Sequence, residues 1–85
     1  MSNILIYTKN YCAFCIRAKS LLEMKKIKFN EINLNEFPDK LDGMLTQSNG
    51  ARTVPQIFNG DQHIGDCEKI YQLNTEGKLD ELLGI

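Results

Sequence analysis

The sequence has no tryptophan, only two prolines and one histidine, and no apolar run long enough to cross a bilayer. Aromatic residues make up 8% of the chain and the net charge is −1, so there is neither the stacking series nor the basic excess typical of nucleic-acid-binding domains. No basic stretch precedes the first apolar run, residues 4–7, so the pattern does not predict a secretory signal. We therefore expect a cytoplasmic protein that binds neither nucleic acid nor membranes.

Cysteine is scarce and odd in number, with three residues in the chain. In the reducing cytoplasm, an odd count argues against a framework of structural disulfides and points to catalysis or metal binding. The 85 residues are 42% hydrophobic and 25% charged, which suits one ordered domain spanning residues 1–85. We expect this domain to be a monomer.

Charge is distributed unevenly along the chain. Six cations and one anion lie between Lys9 and Lys28, whereas the rest of the chain is acidic. Because this basic segment surrounds two cysteines, we expect it to attract acidic ligands and to favour a thiolate. The lysines after Glu23 are instead predicted to lie on a solvated helix face.

Hydrophobic periodicity predicts the element order β-α-β-α-β-β-α-α. Strands are predicted over residues 4–8, 29–34, 54–58 and 62–64, and helices over residues 13–25, 38–47, 67–73 and around 79–83. The predicted apolar side of the first helix comprises Ile16, Ala18, Leu21, Leu22 and Met24. Residues 59–61 (Asn-Gly-Asp) predict a hairpin turn. This order implies an α/β fold in which helices pack on a four-stranded mixed sheet.

The motif Cys12-Ala13-Phe14-Cys15 lies where the first strand passes into the first helix. A helix N-terminus has unpaired N–H groups and a partial positive charge, which stabilise a thiolate relative to a thiol. We therefore predict that Cys12 is an exposed nucleophile and that Cys15, one turn into the helix, is the resolving thiol.

The same cysteine spacing also forms half of many zinc sites. His63 and Cys67 supply a numerically plausible second half, so a structural zinc module of three cysteines and one histidine is an alternative. Against this alternative, His63 falls within a predicted strand and the first cysteine pair begins a helix. No metal site is therefore expected.

Three collinear motifs resemble the glutaredoxin family, in particular its short bacterial dithiol (class I) type. They are residues 7–9 (Tyr-Thr-Lys) ahead of the cysteine pair, residues 53–58 (Thr-Val-Pro-Gln-Ile-Phe) and residues 63–67 (His-Ile-Gly-Asp-Cys). The resemblance spans nearly the whole chain and implies the thioredoxin-like fold. It also implies an enzyme that reduces protein disulfides and glutathione mixed disulfides and is itself reduced by glutathione. Its partners would then be glutathione and disulfide-containing or glutathionylated proteins, with ribonucleotide reductase a candidate.

The resemblance further implies a glutathione site. Val54-Pro55 would be a cis peptide whose valine backbone pairs with the cysteinyl part of glutathione. Lys9 and Arg52, and less so Gln56, would bind the glycine carboxylate, and the start of the third helix would bind the γ-glutamyl carboxylate. The implied site comprises Lys9, Phe14, Arg52, Thr53, Val54, Pro55, Gly65, Asp66 and Cys67.

The chain departs from the family pattern in two places. Asp66 stands where a second glycine is usual, so its carboxylate is expected either to cap the third helix or to weaken glutathione binding. Ala13-Phe14 stands where Pro-Tyr is commonest. Because members lacking that proline sometimes hold a [2Fe–2S] cluster between two subunits, through Cys12 of each and two glutathiones, a cluster carrier is one alternative function. A glutaredoxin-like donor reduced by thioredoxin reductase is another, although the Trp-containing C-terminal motif of such proteins is absent.

Overall fold

The computed structural model describes residues 3–85 and is built around a four-stranded mixed sheet. The strands are β1 (Ile4–Thr8), β2 (Phe29–Asn33), β3 (Gln56–Asn59) and β4 (Gln62–Gly65). In space their order is β2-β1-β3-β4, with β1 parallel to β2 and antiparallel to β3, and β3 antiparallel to β4. This arrangement confirms the predicted α/β fold and mixed sheet.

The helices follow the predicted order, with small shifts at their ends. They are α1 (Ala13–Met24), a 3-10 turn (Pro38–Lys40) that leads into α2 (Leu41–Gln47), α3 (Cys67–Thr75) and α4 (Leu79–Leu83). The predicted second helix therefore divides into a 3-10 turn and an α-helix. Asn49 and Gly50 both have positive φ after α2, as expected for turn residues at a helix end.

The two faces of the sheet bury separate apolar clusters. On one face Ile4 and Ile6 pack with side chains from α1, α3 and α4, and on the other Tyr7 and Phe58 pack with Met44 of α2. The alternation along β1 follows from the two-residue period of a strand, which sends successive side chains to opposite faces. Helices on both faces explain why β1 reads as a nearly continuous apolar run.

The predicted apolar side of α1 is partly wrong. Ala18, Leu21 and Leu22 are buried, but Ile16 and Met24 are 61% and 76% exposed. The fourth buried residue of the helix is Cys15. Spacings of three and four residues from Cys15 define the stripe that faces the sheet, and positions 16 and 24 lie outside it.

The third strand also begins later than predicted. The ladder starts at Gln56 rather than Val54, because Pro55 has no N–H to donate, and it extends to Asn59, which pairs with Gln62 across the Gly60-Asp61 turn. The hairpin turn is therefore where the sequence predicts it.

The environment of Lys25 differs from the predicted solvated helix face. Lys25 is not on a fully solvated face, because its Nζ lies 2.6 Å from a carboxylate oxygen of Asp80 in α4.

Within residues 3–85, no helix is both long enough and apolar enough to cross a membrane.

Candidate active site

The two cysteines of the motif occupy different environments at the start of α1. Cys12 is the N-cap residue, with an extended backbone, and is partly exposed, whereas Cys15 is only 2% exposed. They form a disulfide with their Cα atoms 5.2 Å apart. The Cys12 Sγ also accepts a hydrogen bond from the backbone N–H of Cys15 at 3.1 Å. The accessible sulfur thus lies on the unpaired N–H groups of the helix, and no acidic residue occupies the first turn of α1 to oppose negative charge there.

An asparagine cluster fastens the loop that precedes Cys12. The backbone N–H of Asn10 donates to Asn35 Oδ1 at 2.6 Å, and Asn33 Nδ2 donates to Asn10 Oδ1 at 2.9 Å. Asn35 N–H in turn donates to Asn33 Oδ1 at 2.8 Å. Tyr11, which follows in the chain, has φ of 57° and is fully exposed. The sequence analysis did not identify this cluster, because the local pattern around a single asparagine does not indicate which distant residue it bonds to.

The loop before β3 forms a second wall beside the cysteines. The Val54-Pro55 peptide bond is cis, as the family resemblance implied, and Pro55 is buried. The Val54 carbonyl oxygen lies 3.9 Å from Cys12 Sγ. An extended ligand attached to this sulfur would therefore lie alongside the Val54 backbone.

A groove of about 260 Å³ runs from this loop to the start of α3. It is lined by Phe14, Thr53, Val54, Pro55, Asp66, Cys67 and Glu68. We call it the central groove. Six of the nine residues implied for glutathione binding line it, and Gly65 lines an adjoining groove of about 530 Å³. Lys9 and Arg52 are exposed, and neither residue lines either of the two grooves.

The start of α3 closes the central groove. Asp66 is the N-cap residue, and its Oδ1 accepts a hydrogen bond from the backbone N–H of Lys69 at 2.9 Å. Gly65 has φ of +146°, and a Cβ there would lie 2.5 Å from Lys69 Cγ, so this position requires glycine. The expectation that Asp66 caps α3 is therefore met by the geometry.

Cys67 and Phe14 line the central groove and also a neighbouring cavity that includes Arg17 and Tyr71. Cys67 is a free cysteine and 4% exposed. Burial raises the pKa of its thiol and Asp66 adds to that rise, while the positive charge of Arg17 opposes both. The Arg17 guanidinium lies 5.9 Å from the Phe14 ring centroid and 5.2 Å from that of Tyr71. These distances allow a cation–π contact on either side of the guanidinium.

His63 and Gln56 are bonded to each other and line the larger groove. Gln56 is only 2% exposed and its amide bonds to Thr53 and His63, so a role in binding a glycine carboxylate would require these bonds to open. His63 stacks on Phe58 with ring centroids 4.9 Å apart. Across residues 3–85 no three Cys, His, Asp or Glu side chains gather as a metal site, so the zinc alternative lacks its ligand set.

Comparisons with known proteins agree with one another. The family model described as glutaredoxin matches residues 4–64. The chain is 46% identical to glutaredoxin 3 of Escherichia coli over 83 residues, covering 98% of this chain and 99% of that protein. It is 45% identical over 82 residues to a probable glutaredoxin of Synechocystis, covering 96% of this chain and 93% of the relative. Among solved structures, the buckwheat glutaredoxin–glutathione complex matches with a TM-score of 0.84 and 32% identity, over 96% of this chain and 76% of the other.

Proposed function

The chain belongs to the glutaredoxin family, and on that premise we propose that it is a glutathione-dependent oxidoreductase that reduces glutathione mixed disulfides and protein disulfides. Glutaredoxins are thiol–disulfide oxidoreductases, so the proposal concerns glutathione as the reductant and the two substrate classes. The observation that carries it is the placement of Cys12 Sγ between the start of α1 and the Val54 backbone. The glutathione bound to the buckwheat relative lends it further support.

In the proposed first step, the Cys12 thiolate attacks the glutathione sulfur of a mixed disulfide. A bond forms between Cys12 and glutathione, and the bond between glutathione and the substrate breaks, releasing the substrate thiolate, which takes up a proton. The N–H groups at the start of α1 favour the attacking thiolate, and the same groups stabilise it as a leaving group later.

In the second step, the thiolate of another glutathione attacks the sulfur of the bound glutathione. Glutathione disulfide forms and the Cys12 thiolate is regenerated, so one free glutathione thiol is oxidised for each mixed disulfide that is reduced. We propose that the central groove holds the glutathione joined to Cys12. The Val54 backbone would pair with its cysteinyl part, and the N–H groups at the start of α3 would bind its γ-glutamyl carboxylate. Lys9 and Arg52 remain candidates for the glycine carboxylate, each needing to reach the groove from outside.

Protein disulfides need the second thiol. After Cys12 attacks, the enzyme and substrate are joined by a disulfide, which Cys15 then breaks by forming the Cys12–Cys15 bond and releasing a dithiol. Cys15 is close enough for this step, because the structure holds the two residues joined. Its burial keeps the Cys15 thiol from attacking external disulfides directly and leaves Cys12 as the first nucleophile. We propose that the enzyme acts in this way as a cytoplasmic monomer.

The experiment is NADPH oxidation in the presence of glutathione, glutathione reductase and a small mixed disulfide. We expect Cys15→Ser to retain reduction of mixed disulfides and to lose reduction of protein disulfides. Cys12→Ser should lose both activities, whereas an exchange activity that survives in Cys12→Ser would overturn the proposed roles.

Two further arms address the alternative functions. Replacing glutathione and its reductase with thioredoxin reductase should abolish turnover, and faster turnover there would favour the thioredoxin reductase-linked donor. Visible absorbance bands of a [2Fe–2S] cluster in anaerobically purified protein would favour the cluster carrier, for which one chain supplies Cys12 and the remaining ligands would come from a second subunit and two glutathiones.

A further inference from the structure

The buried amide of Gln56 joins strand β4 to the loop beside Cys12. Its Nε2 donates to the Thr53 carbonyl oxygen at 3.0 Å and to Thr53 Oγ1 at 3.3 Å, while its Oε1 lies 2.6 Å from His63 Nε2. All the hydrogens and the oxygen of the amide are therefore used within the protein. The Gln56 side chain is 2% exposed whereas Thr53 and His63 are exposed, so loss of these part-buried bonds would leave the amide of Gln56 buried without partners.

The bonds have a defined direction. The Thr53 carbonyl can only accept, so the nitrogen of the Gln56 amide must face it and the oxygen must face His63. His63 Nε2 is therefore the donor to Gln56. Burial lowers the pKa of His63, with Asp66 opposing, so the ring is neutral at pH 7 with its hydrogen on Nε2. The His63 ring also contacts the Phe58 ring, with centroids 4.9 Å apart and planes at 34°, which supports its orientation toward Gln56.

The hydrogen bonds from Gln56 end at Thr53, which lies next to Val54 in the wall of the central groove. Within residues 3–85, the two bonds from Gln56 are the hydrogen bonds that Thr53 makes, and neither Thr53 nor Val54 belongs to a strand. Thr53 lines the central groove, and the Val54 carbonyl that follows it is the atom close to Cys12 Sγ. Without Gln56, the orientation of this backbone would depend on the cis proline and on the packing of the Val54 side chain against the second apolar cluster.

We propose that Gln56, itself held by His63, is a positioning residue for glutathione. By fixing the carbonyl and hydroxyl of Thr53, it keeps the N–H and C=O of Val54 directed at a glutathione joined to Cys12. This inference rests on the proposed function and adds to it a three-residue connection from β4 to the groove. Neither residue touches the reacting sulfurs, so both act through the Thr53–Val54 backbone.

Such a role has a specific kinetic consequence. A loop ordered before binding costs less to order on binding, so its loosening weakens glutathione binding without changing the thiol chemistry. Loss of one or two part-buried hydrogen bonds worth about 1 kcal/mol each corresponds to a roughly fivefold to thirtyfold rise in KM for the glutathione mixed disulfide. The kcat value should stay within about twofold of the original.

Two variants interrupt the connection at different points. Gln56→Met preserves the length of the side chain and removes all three bonds, and His63→Phe keeps a ring on Phe58 while removing the donor to Gln56. Because His63 is exposed, its variant is expected to fold even if the buried one is destabilised. Gln62→Met makes the same chemical change at an exposed neighbouring position on β4 that lines neither groove, and it serves as the matched control.

The test measures KM and kcat for the glutathione mixed disulfide in the coupled assay, with free glutathione held at a saturating concentration. In a Cys15→Ser background it also measures the equilibrium between glutathione disulfide and the Cys12–glutathione mixed disulfide. We expect Gln56→Met to raise this KM by roughly fivefold to thirtyfold, His63→Phe to raise it by about twofold to fivefold, and both to shift the equilibrium away from the Cys12–glutathione mixed disulfide. The Gln62→Met control should give the same KM and the same equilibrium as the unchanged protein. A variant that is only less stable would have a lower melting temperature but an unchanged mixed-disulfide equilibrium.

Two results would contradict the account and are distinguishable. If the unchanged protein turns over glutathione but neither variant alters KM or the mixed-disulfide equilibrium, the positioning role is wrong and the proposed function stands. If the unchanged protein shows no glutathione-dependent turnover, the proposed function itself fails and the positioning role fails with it.

Discussion

Asp66 provides a sharp test of how the central groove recognises glutathione. Its side chain caps α3 through the bond to Lys69 N–H, so its carboxylate lies at the helix terminus proposed to receive the γ-glutamyl carboxylate. The substitution Asp66→Asn removes the charge and keeps a good capping side chain. It therefore separates repulsion of the ligand from helix capping.

The size of the effect follows from the position of the residue. Two like charges 4 Å apart repel by about 1 kcal/mol in bulk water and by about 4 kcal/mol near a protein surface. Because Asp66 is half-buried and the groove is open to salt, we take the lower figure, about 1 kcal/mol. Removing this repulsion corresponds to a roughly fivefold fall in KM for the glutathione mixed disulfide, with kcat unchanged.

The assay is the coupled glutathione reductase measurement at low and at high ionic strength. We expect the fall in KM to shrink as salt is added, since screening weakens the repulsion in the unchanged protein. Asp61→Asn, in the hairpin turn at the opposite end of β4, is the matched control and should leave KM unaltered. Asp66→Gly, which restores the residue usual in the family, should also lower KM. An unchanged or higher KM in Asp66→Asn would refute the reasoning.

Three other predictions concern stability and reactivity. Leu22→Ala, at a fully buried position on α1, should lower the free energy of unfolding by about 2–5 kcal/mol in urea denaturation, and a loss below 1 kcal/mol would contradict the packing described. Burial raises the pKa of Tyr7, so the unfolded chain ionises first and stability should fall as the pH rises above about 10. Tyr7→Phe should remove that part of the fall. Finally, Cys67, with its buried and high-pKa thiol, should resist brief iodoacetamide treatment that labels Cys12 in reduced protein, and equal labelling of both by mass spectrometry would contradict this.

Local patterns were sufficient for the order of elements and the mixed sheet. The apolar run of β1 and the hairpin turn at Gly60-Asp61 each carry a strong signal, because backbone preferences and the alternation of side chains act over a few residues. The position of Cys15 one turn into the helix predicted that it is less accessible than Cys12, and its burial confirms this, but the apolar pattern did not place it in the buried stripe of α1. Ile16 was consequently assigned a place in the core that the structure gives to its neighbour.

The candidate site was less predictable because it joins distant segments. The cysteine pair follows from its place at the start of a helix, and the cis bond at Pro55 from the family resemblance. The bonds from His63 through Gln56 to Thr53 depend on the register of β3 against β4, which contains an irregularity between Ile57 and Phe58. No local pattern specifies that register. Periodicity therefore left His63 open to a metal-binding interpretation.

The account depends most directly on Cys12 being ionised at neutral pH. The decisive measurement is the rate of Cys12 alkylation by iodoacetamide between pH 4 and pH 10 in reduced Cys15→Ser protein, with labelling resolved by mass spectrometry. We predict that the rate has already reached its plateau near pH 7, because the N–H groups of α1 stabilise the thiolate. A rate that rises with the midpoint of an ordinary thiol, about 8.5, would contradict the account.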